Sequence, residues 1–461
     1  MSILAGFMVP HPPMIVPEVG RGSEAQIVET TRAYERVAEE VAALRPDTII
    51  ISSPHAVMYT DYFHISPGNG ATGSFRRFHA PGVKFSERYD TELVGRICEL
   101  SEEEKLPAGT LGERDSELDH GTMVPLYFLR KRYPGGSLVR IGLSGLPLTE
   151  HYRLGQLIAR AVEDTGRRAV WIASGDLSHK LQSYGPYGFA KEGPEYDQRI
   201  MDVCRSANFG ELFEFDELFC EKAAECGHRS FVMMAGAFDG LRMKAVELSH
   251  QDVTGVGYGI CTFYPDGKDK DRHFLNGYHE KTERICREKA EKSDAYVKLA
   301  RAAVEAWVLR RERLKIPEGL PEELISRRAG AFVSLHEHGQ LRGCIGTIAA
   351  TTDCVAAEIL QNAVSACSRD PRFLPVGPEE LSKLEISVDV LGVLEPIDSA
   401  DALDVKRYGV VVSHGLKRGL LLPNLDGVDA VEDQIRIARQ KGGIGEHEPY
   451  RLERFEVVRH Y

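Results

Sequence analysis

The stretch "RRAVWIASGDLSH", residues 167–179, decides the fold. A short apolar run with β-branched and aromatic side chains closes on Ser, Gly and Asp, as a fully buried strand does where it meets a turn. "RPDTIIISS" (45–53) and "GSLVRIGLSG" (136–145) repeat the pattern. Between these runs, "AQIVETTRAYERVAEEVAAL" (25–44) and "TEHYRLGQLIARAVEDTG" (149–166) carry helical spacing, with Gly166 as a stop. Alternating strand and helix predicts an α/β domain, its largely parallel sheet covered by helices on both faces. Ligands of such sheets collect beyond the carboxyl ends of the strands, where His55 and His179 fall.

The 461-residue chain exceeds one ordinary core, and a prior of roughly 100–200 residues per domain points to two units. A formal charge of -12 argues against nucleic acid, whose binders cluster Lys and Arg against phosphates. No apolar run approaches the roughly 18 residues that span a bilayer, and no charged leader opens the chain. The expectation is a cytoplasmic protein away from membranes. Nine cysteines without a CxxC pair exclude a disulfide framework and a structural zinc knot. Near residue 265 the composition turns to charge, in "PDGKDKDRHFLNGYHEKTERICREKAEKSD". This places a first domain at 1–268, a charged linker at 269–291, and a second, smaller domain at 292–461.

Four histidines of the first half stand where a turn or strand end exposes an imidazole: His11 in "VPHPP", His55 in "SPHA", His120 in "LDHGTMVP" and His179 in "SGDLSH". Proline before His11 and His55 stiffens the strand exit, and a metal site needs such rigidity. A third donor is expected from "AAECGHRSFVMMAGAF" (223–238), where Glu225, Cys226 and His228 lie together. Glu225 is the first choice, because two imidazoles and one carboxylate form the triad of non-heme Fe(II) oxygenases. Cys226 would favour a softer metal, and His228 would make an all-imidazole site nearer to zinc chemistry. Asp176 reads as a residue that caps or orients its turn.

These segments, with "DHGTMVPLYFLRKRYP" and "ECGHRSFVMMAGA", occur in an order that resembles the LigB-type class III extradiol ring-cleaving dioxygenases and the related Memo proteins. The resemblance implies that His11, His55 and Glu225 bind the metal, that His179 is the acid–base histidine, and that His120 orients substrate or oxygen. It implies Fe(II) as cofactor, with zinc or copper as alternatives, and O2 with a small aromatic or diol-like, catechol-type substrate. Memo-like members carry a cysteine in place of the carboxylate. The adjacency of Glu225 and Cys226 therefore leaves two readings: a ring-cleaving oxidoreductase, or a non-catalytic metal-binding scaffold.

In the second half, "LRGCIGTI" (341–348), "DPRFLPV" (370–376), "GVVVSHGLKRGLLLP" (409–423) and "ARQKGGI" (438–444) resemble the AMMECR family, which implies a compact α+β domain over 292–461. That fusion is similar to components of the AmmeMemoRadiSam system, which implies a radical S-adenosylmethionine protein as partner. Cys344 would be a nucleophile if His336, His338 or His414 stood close enough to lower its pKa, and otherwise packs in a turn. Arg342 and Arg372 offer forked donors for an anion or ordinary ion pairs. The oligomeric state is left open.

Overall fold

The computed structural model describes residues 3–337, 339–425 and 427–461. The chain forms two compact units, Met1–Tyr278 and His279–Tyr461. Among the described residues no helix is long and apolar enough to cross a membrane.

The first unit is built on β1 (Ile3–Val9), α1 (Val28–Leu44), β2 (Thr48–Ser53), α2 (His120–Arg132), β3 (Ser137–Gly142), α3 (Leu148–Asp164), β4 (Ala169–Ser174), α4 (Glu192–Ser206), α5 (His228–Gly236), β5 (Leu241–Gln251) and β6 (Tyr258–Lys268). They make a six-stranded sheet in the order β3-β2-β4-β1-β6-β5. Pairings among β3, β2, β4 and β1 are parallel, whereas β1–β6 and β6–β5 are antiparallel. The sheet is therefore mixed: four strands run parallel, as expected, and β6 and β5 add an antiparallel edge. The cause is local: residues 252–257 join β5 to β6, too short a connection for the crossover that parallel neighbours need.

Every residue of β2 and β4 is buried. Ile50 and Trp171 enter one core, while Ile49, Ile51, Val170 and Ile172 enter the other, so successive side chains serve opposite faces. Helices α1 and α2 supply Tyr34, Val37, Val41 and Val124 to one layer, and α3, α4 and α5 supply Leu154, Ile200 and Phe231 to the other. Each fully buried aliphatic side chain contributes roughly 1.5–3 kcal/mol. This burial makes the central strands a fixed platform.

The charged stretch 269–291 contains most of a helix, α6 (Phe274–Lys292). The second unit continues with α7 (Ala295–Arg310), β7 (Ala331–Glu337), β8 (Gln340–Gly346), α8 (Val355–Ser368), β9 (Leu384–Leu391), β10 (Glu395–Ile397), β11 (Tyr408–His414), β12 (Lys417–Leu421), α9 (Val431–Lys441) and β13 (Arg451–His460). Its curled antiparallel sheet runs β8-β7-β9-β13-β11-β12, with β10 also on β13. One part of the sheet packs its apolar face on α7 and α8, and a separate cluster lies between the β11–β12 hairpin and α9.

Candidate metal centre

β2, β4 and β1 are adjacent and parallel, so their carboxyl ends open on one edge. His55 follows β2, Asp176 follows β4, and His11 follows β1. Neighbouring strands stand about 4.8 Å apart, which suffices to bring these side chains together. The His11 Nε2 and His55 Nε2 atoms lie 3.0 Å apart, and Cys226 Sγ lies 3.6 Å from His11 Nε2. Ligand atoms of His11, His55 and Cys226 all fall within 4.8 Å of one another, as do those of Asp176, His179 and Cys226.

Each member is held from behind. The Tyr34 hydroxyl, wholly buried, donates to the Pro10 carbonyl, and the His11 N–H donates to Asp176 Oδ1 at 2.7 Å. Ser174 Oγ gives its one proton to the Gly121 carbonyl at 2.6 Å, so at 3.0 Å it accepts from His11 Nδ1–H. The hydrogen-bond network thereby assigns the tautomer and turns the Nε2 lone pair of His11 toward His55.

On the other side of the centre, Gly175 and Gly227 meet backbone to backbone: a Cβ on Gly175 would stand 2.1 Å from Gly227 Cα. That approach brings Cys226 against the Asp176 turn, and the Asp176 N–H donates to Cys226 Sγ at 3.3 Å.

Glu225 does not join the group. Ala224 is left-handed (φ 54°) at the end of the preceding helix, and Glu225 turns inward to accept the His228 N–H at 2.6 Å. Burial pushes its carboxyl up to about 7. Of the three residues expected to offer a third donor, it is Cys226 and not Glu225 whose side chain comes together with His11 and His55, and Asp176 Oδ2 is the nearby carboxylate, 4.0 Å from His11 Nε2. His228 is also turned away, its Nε2 donating to the Leu212 carbonyl at 3.0 Å.

His179 stands 3.9 Å from Asp176 Oδ2, and its buried Nε2 has no hydrogen-bond partner. Tyr187 stacks on its ring at 5.0 Å. His120 opens α2 with its ring 4.0 Å from that of His55 and 5.4 Å from that of His11. Burial, reinforced by His55 and His11, pushes its pKa down to about 3. Of the three tyrosines after His179, only Tyr187 meets it; Tyr196 is fully buried in the core, and Tyr184 is exposed.

The model of the catalytic LigB subunit of aromatic ring-opening dioxygenase matches residues 5–261. The chain belongs to the LigB family. The AMMECR1 model matches residues 297–460, so a LigB domain precedes an AMMECR1 domain. Protein CA_C1420 of Clostridium acetobutylicum is 40% identical over the whole of this chain and 99% of its own length. A protein of Thermotoga maritima is 48% identical over 36% of this chain and 96% of its own. The 2-aminophenol 1,6-dioxygenase beta subunit of a Pseudomonas species is 26% identical over 56% of this chain and 93% of its own.

The donor set of the LigB domain fits a cation. Two bonds of about 2.1 Å at a right angle place imidazole nitrogens about 3.0 Å apart, and a thiolate bond of about 2.3 Å completes the set. With the His55 proton on Nδ1, both Nε2 lone pairs aim at one point and can share a cation; with it on Nε2, His55 donates to His11 across the same 3.0 Å. Burial, followed by the neighbouring His55, pushes the His11 pKa well below its ordinary value, which keeps this imidazole neutral.

In the AMMECR1 domain, Ser334 Oγ donates to Cys344 Sγ at 3.3 Å, and burial pushes the thiol pKa up. His414 Nδ1 is engaged by the Pro449 carbonyl, and no hydrogen bond joins Cys344 to an imidazole among the described residues; His338 lies outside them. Arg342 pairs with Glu380, and Arg372 with Asp370. This favours the packing role for Cys344.

Proposed function

We propose that the LigB domain is a metal-dependent catalyst acting on a small diol- or aminophenol-like molecule, with the cation held by His11, His55 and Cys226. The observation that carries this reading is the convergence of those three side chains at the ends of rigid parallel strands. A bound divalent ion supplies Lewis acidity, which makes a hydroxyl easier to deprotonate. Iron is the first candidate, and the sulfur donor admits zinc and copper.

The chain's own residues handle the proton. His179 Nε2, buried and unpartnered, accepts it, and the carboxylate of Asp176 at 3.9 Å stabilises the imidazolium that forms. Tyr187 covers one face of the His179 ring and fixes its plane. His120 stays neutral, because a cationic ring 4.0 Å from His55 is opposed by burial. The relationship to a 2-aminophenol 1,6-dioxygenase subunit supports O2 as co-substrate and ring opening as the reaction.

One observation favours a second reading. Cys226 occupies the place expected for a carboxylate, as in Memo-like proteins, which suits a metal-binding scaffold serving another enzyme, such as a radical S-adenosylmethionine protein. Anaerobically purified protein loaded with Fe(II) and offered a panel of catechols and aminophenols should consume O2. His179→Ala should keep the metal and lose turnover. Metal binding without turnover by the unaltered protein would favour the scaffold.

A further inference from the structure

Three imidazoles meet at the centre, and all three lead back to one turn of backbone. Asp119 is the N-cap of α2, its Oδ1 accepting the Thr122 N–H at 2.9 Å. The same oxygen accepts the Ser53 hydroxyl at 2.6 Å, and Ser53 Oγ in turn accepts the His55 N–H at 3.3 Å. The residue after Asp119 is His120 itself. One residue further, the Gly121 carbonyl takes the Ser174 hydroxyl, whose oxygen receives His11 Nδ1–H. Gly121 has no room for a side chain: a Cβ there would meet Ser53 Oγ at 2.4 Å and Asp119 Oδ1 at 3.0 Å.

Behind the turn lies Arg140, a fully buried guanidinium on β3. Its Nε stands 3.4 Å from Asp119 Oδ2, while its other nitrogens are taken by Asp115 and by the Glu117 carbonyl. The Arg140 guanidinium, anchored by Asp115, sets its buried positive charge 3.4 Å from the Asp119 carboxylate and attracts it without a hydrogen bond. Nothing in the chemistry proposed above requires Asp119, Ser53 or Arg140 to touch substrate.

We infer that Asp119, braced by Arg140, is the positioning residue of the metal centre, setting His55 through Ser53 while its helix turn sets His11 and His120. The inference rests on the reading of His11, His55 and Cys226 as metal ligands, and deepens it. Partners of the free ring nitrogen of metal-bound histidines commonly govern about 10–100-fold in affinity; Ser174, held by the Gly121 carbonyl, is that partner for His11, while Ser53 acts on His55 through its backbone N–H.

Co(II) is the probe, titrated into apo protein, with affinity and the thiolate-to-cobalt absorption band as readouts. Ser53→Ala, which removes the link to His55 and leaves the helix cap, should weaken Co(II) binding about tenfold or more and shift the band. Asp119→Asn should do so more strongly, and circular dichroism of both apo variants should match the parent. If Asp119→Asn fails to fold, Ser53→Ala decides alone. Parent-like affinity and an unmoved band in Ser53→Ala would overturn the inference while leaving the metal centre intact. Failure of the parent itself to bind Co(II), or binding that survives His11→Ala, would overturn the metal reading and this inference with it.

Discussion

The Nε2 atoms of His11 and His55 face each other at 3.0 Å, although 44 positions separate the two residues in the chain. Their meeting follows from topology, since β1 and β2 flank β4 in parallel and discharge their ends on one edge.

The proton-handling role of His179 has a pH signature. Burial lowers its pKa below the ordinary 6.5, with Asp176 opposing that shift. The neutral base therefore predominates above that lowered value, and kcat/KM is lost as pH falls through it. An acid limb below pH 6.5 is expected, and Asp176→Asn, which removes the opposing carboxylate, should move it further toward acid. His179→Ala should cost about 10²–10⁴-fold in kcat at neutral pH. An acid limb that is the same in parent and Asp176→Asn would contradict the pairing.

Gly175 and Gly227 place Cys226. Because a Cβ on Gly175 would sit 2.1 Å from Gly227 Cα, Gly175→Ala must push two backbone segments apart. A destabilisation of about 1–3 kcal/mol is expected, together with loss of the thiolate-to-cobalt band. Thermal unfolding and the Co(II) spectrum measure the two effects; a normal band would show that the contact does not set the thiol.

Much of this centre was legible in the sequence, and its failures are physical. His11 and His55 could be placed because each follows a buried apolar run and a proline. The choice between Glu225 and Cys226 was not legible, since adjacent side chains on irregular backbone diverge. A left-handed Ala224 and a contact between glycines 52 positions apart, neither visible as a local pattern, decide which one faces His11 and His55. The sequence reads Asp176 only as a turn residue, because its Oδ2 meets His11 and its N–H meets Cys226, both distant in the chain. The antiparallel edge is not legible for a related reason: β5 is only partly buried and lacks the continuous apolar run of the central strands.

Glu225 has a structural task that can be separated from metal binding. Its carboxylate accepts the first N–H of α5, so Glu225→Ala should lower stability by about 0.5–2 kcal/mol. Urea unfolding of the apo protein checks this, and an unchanged midpoint would contradict it.

The AMMECR1 domain carries its own acid sensitivity. Asp370 accepts Arg372 and the Cys344 N–H, and the Arg372 guanidinium in particular holds its carboxyl at about 2 against an ordinary 3.8. A depressed carboxyl stabilises the fold above its unfolded pKa, and that contribution disappears as pH falls from about 4 to about 2. The loss should be on the order of 1–2 kcal/mol, since Arg372 is half exposed and screened. Protection factors of the β8 amides, referred to intrinsic exchange at each pH, should fall over that window in the parent and change less in Asp370→Asn. An equal fall in both would contradict the assignment.

Elemental analysis of protein purified without chelators or added metal addresses the centre most directly. About one equivalent of metal should accompany the parent and Glu225→Ala, and should be largely lost from His11→Ala, His55→Ala and Cys226→Ala. Retention of metal by Cys226→Ala together with its loss from Glu225→Ala would contradict the account.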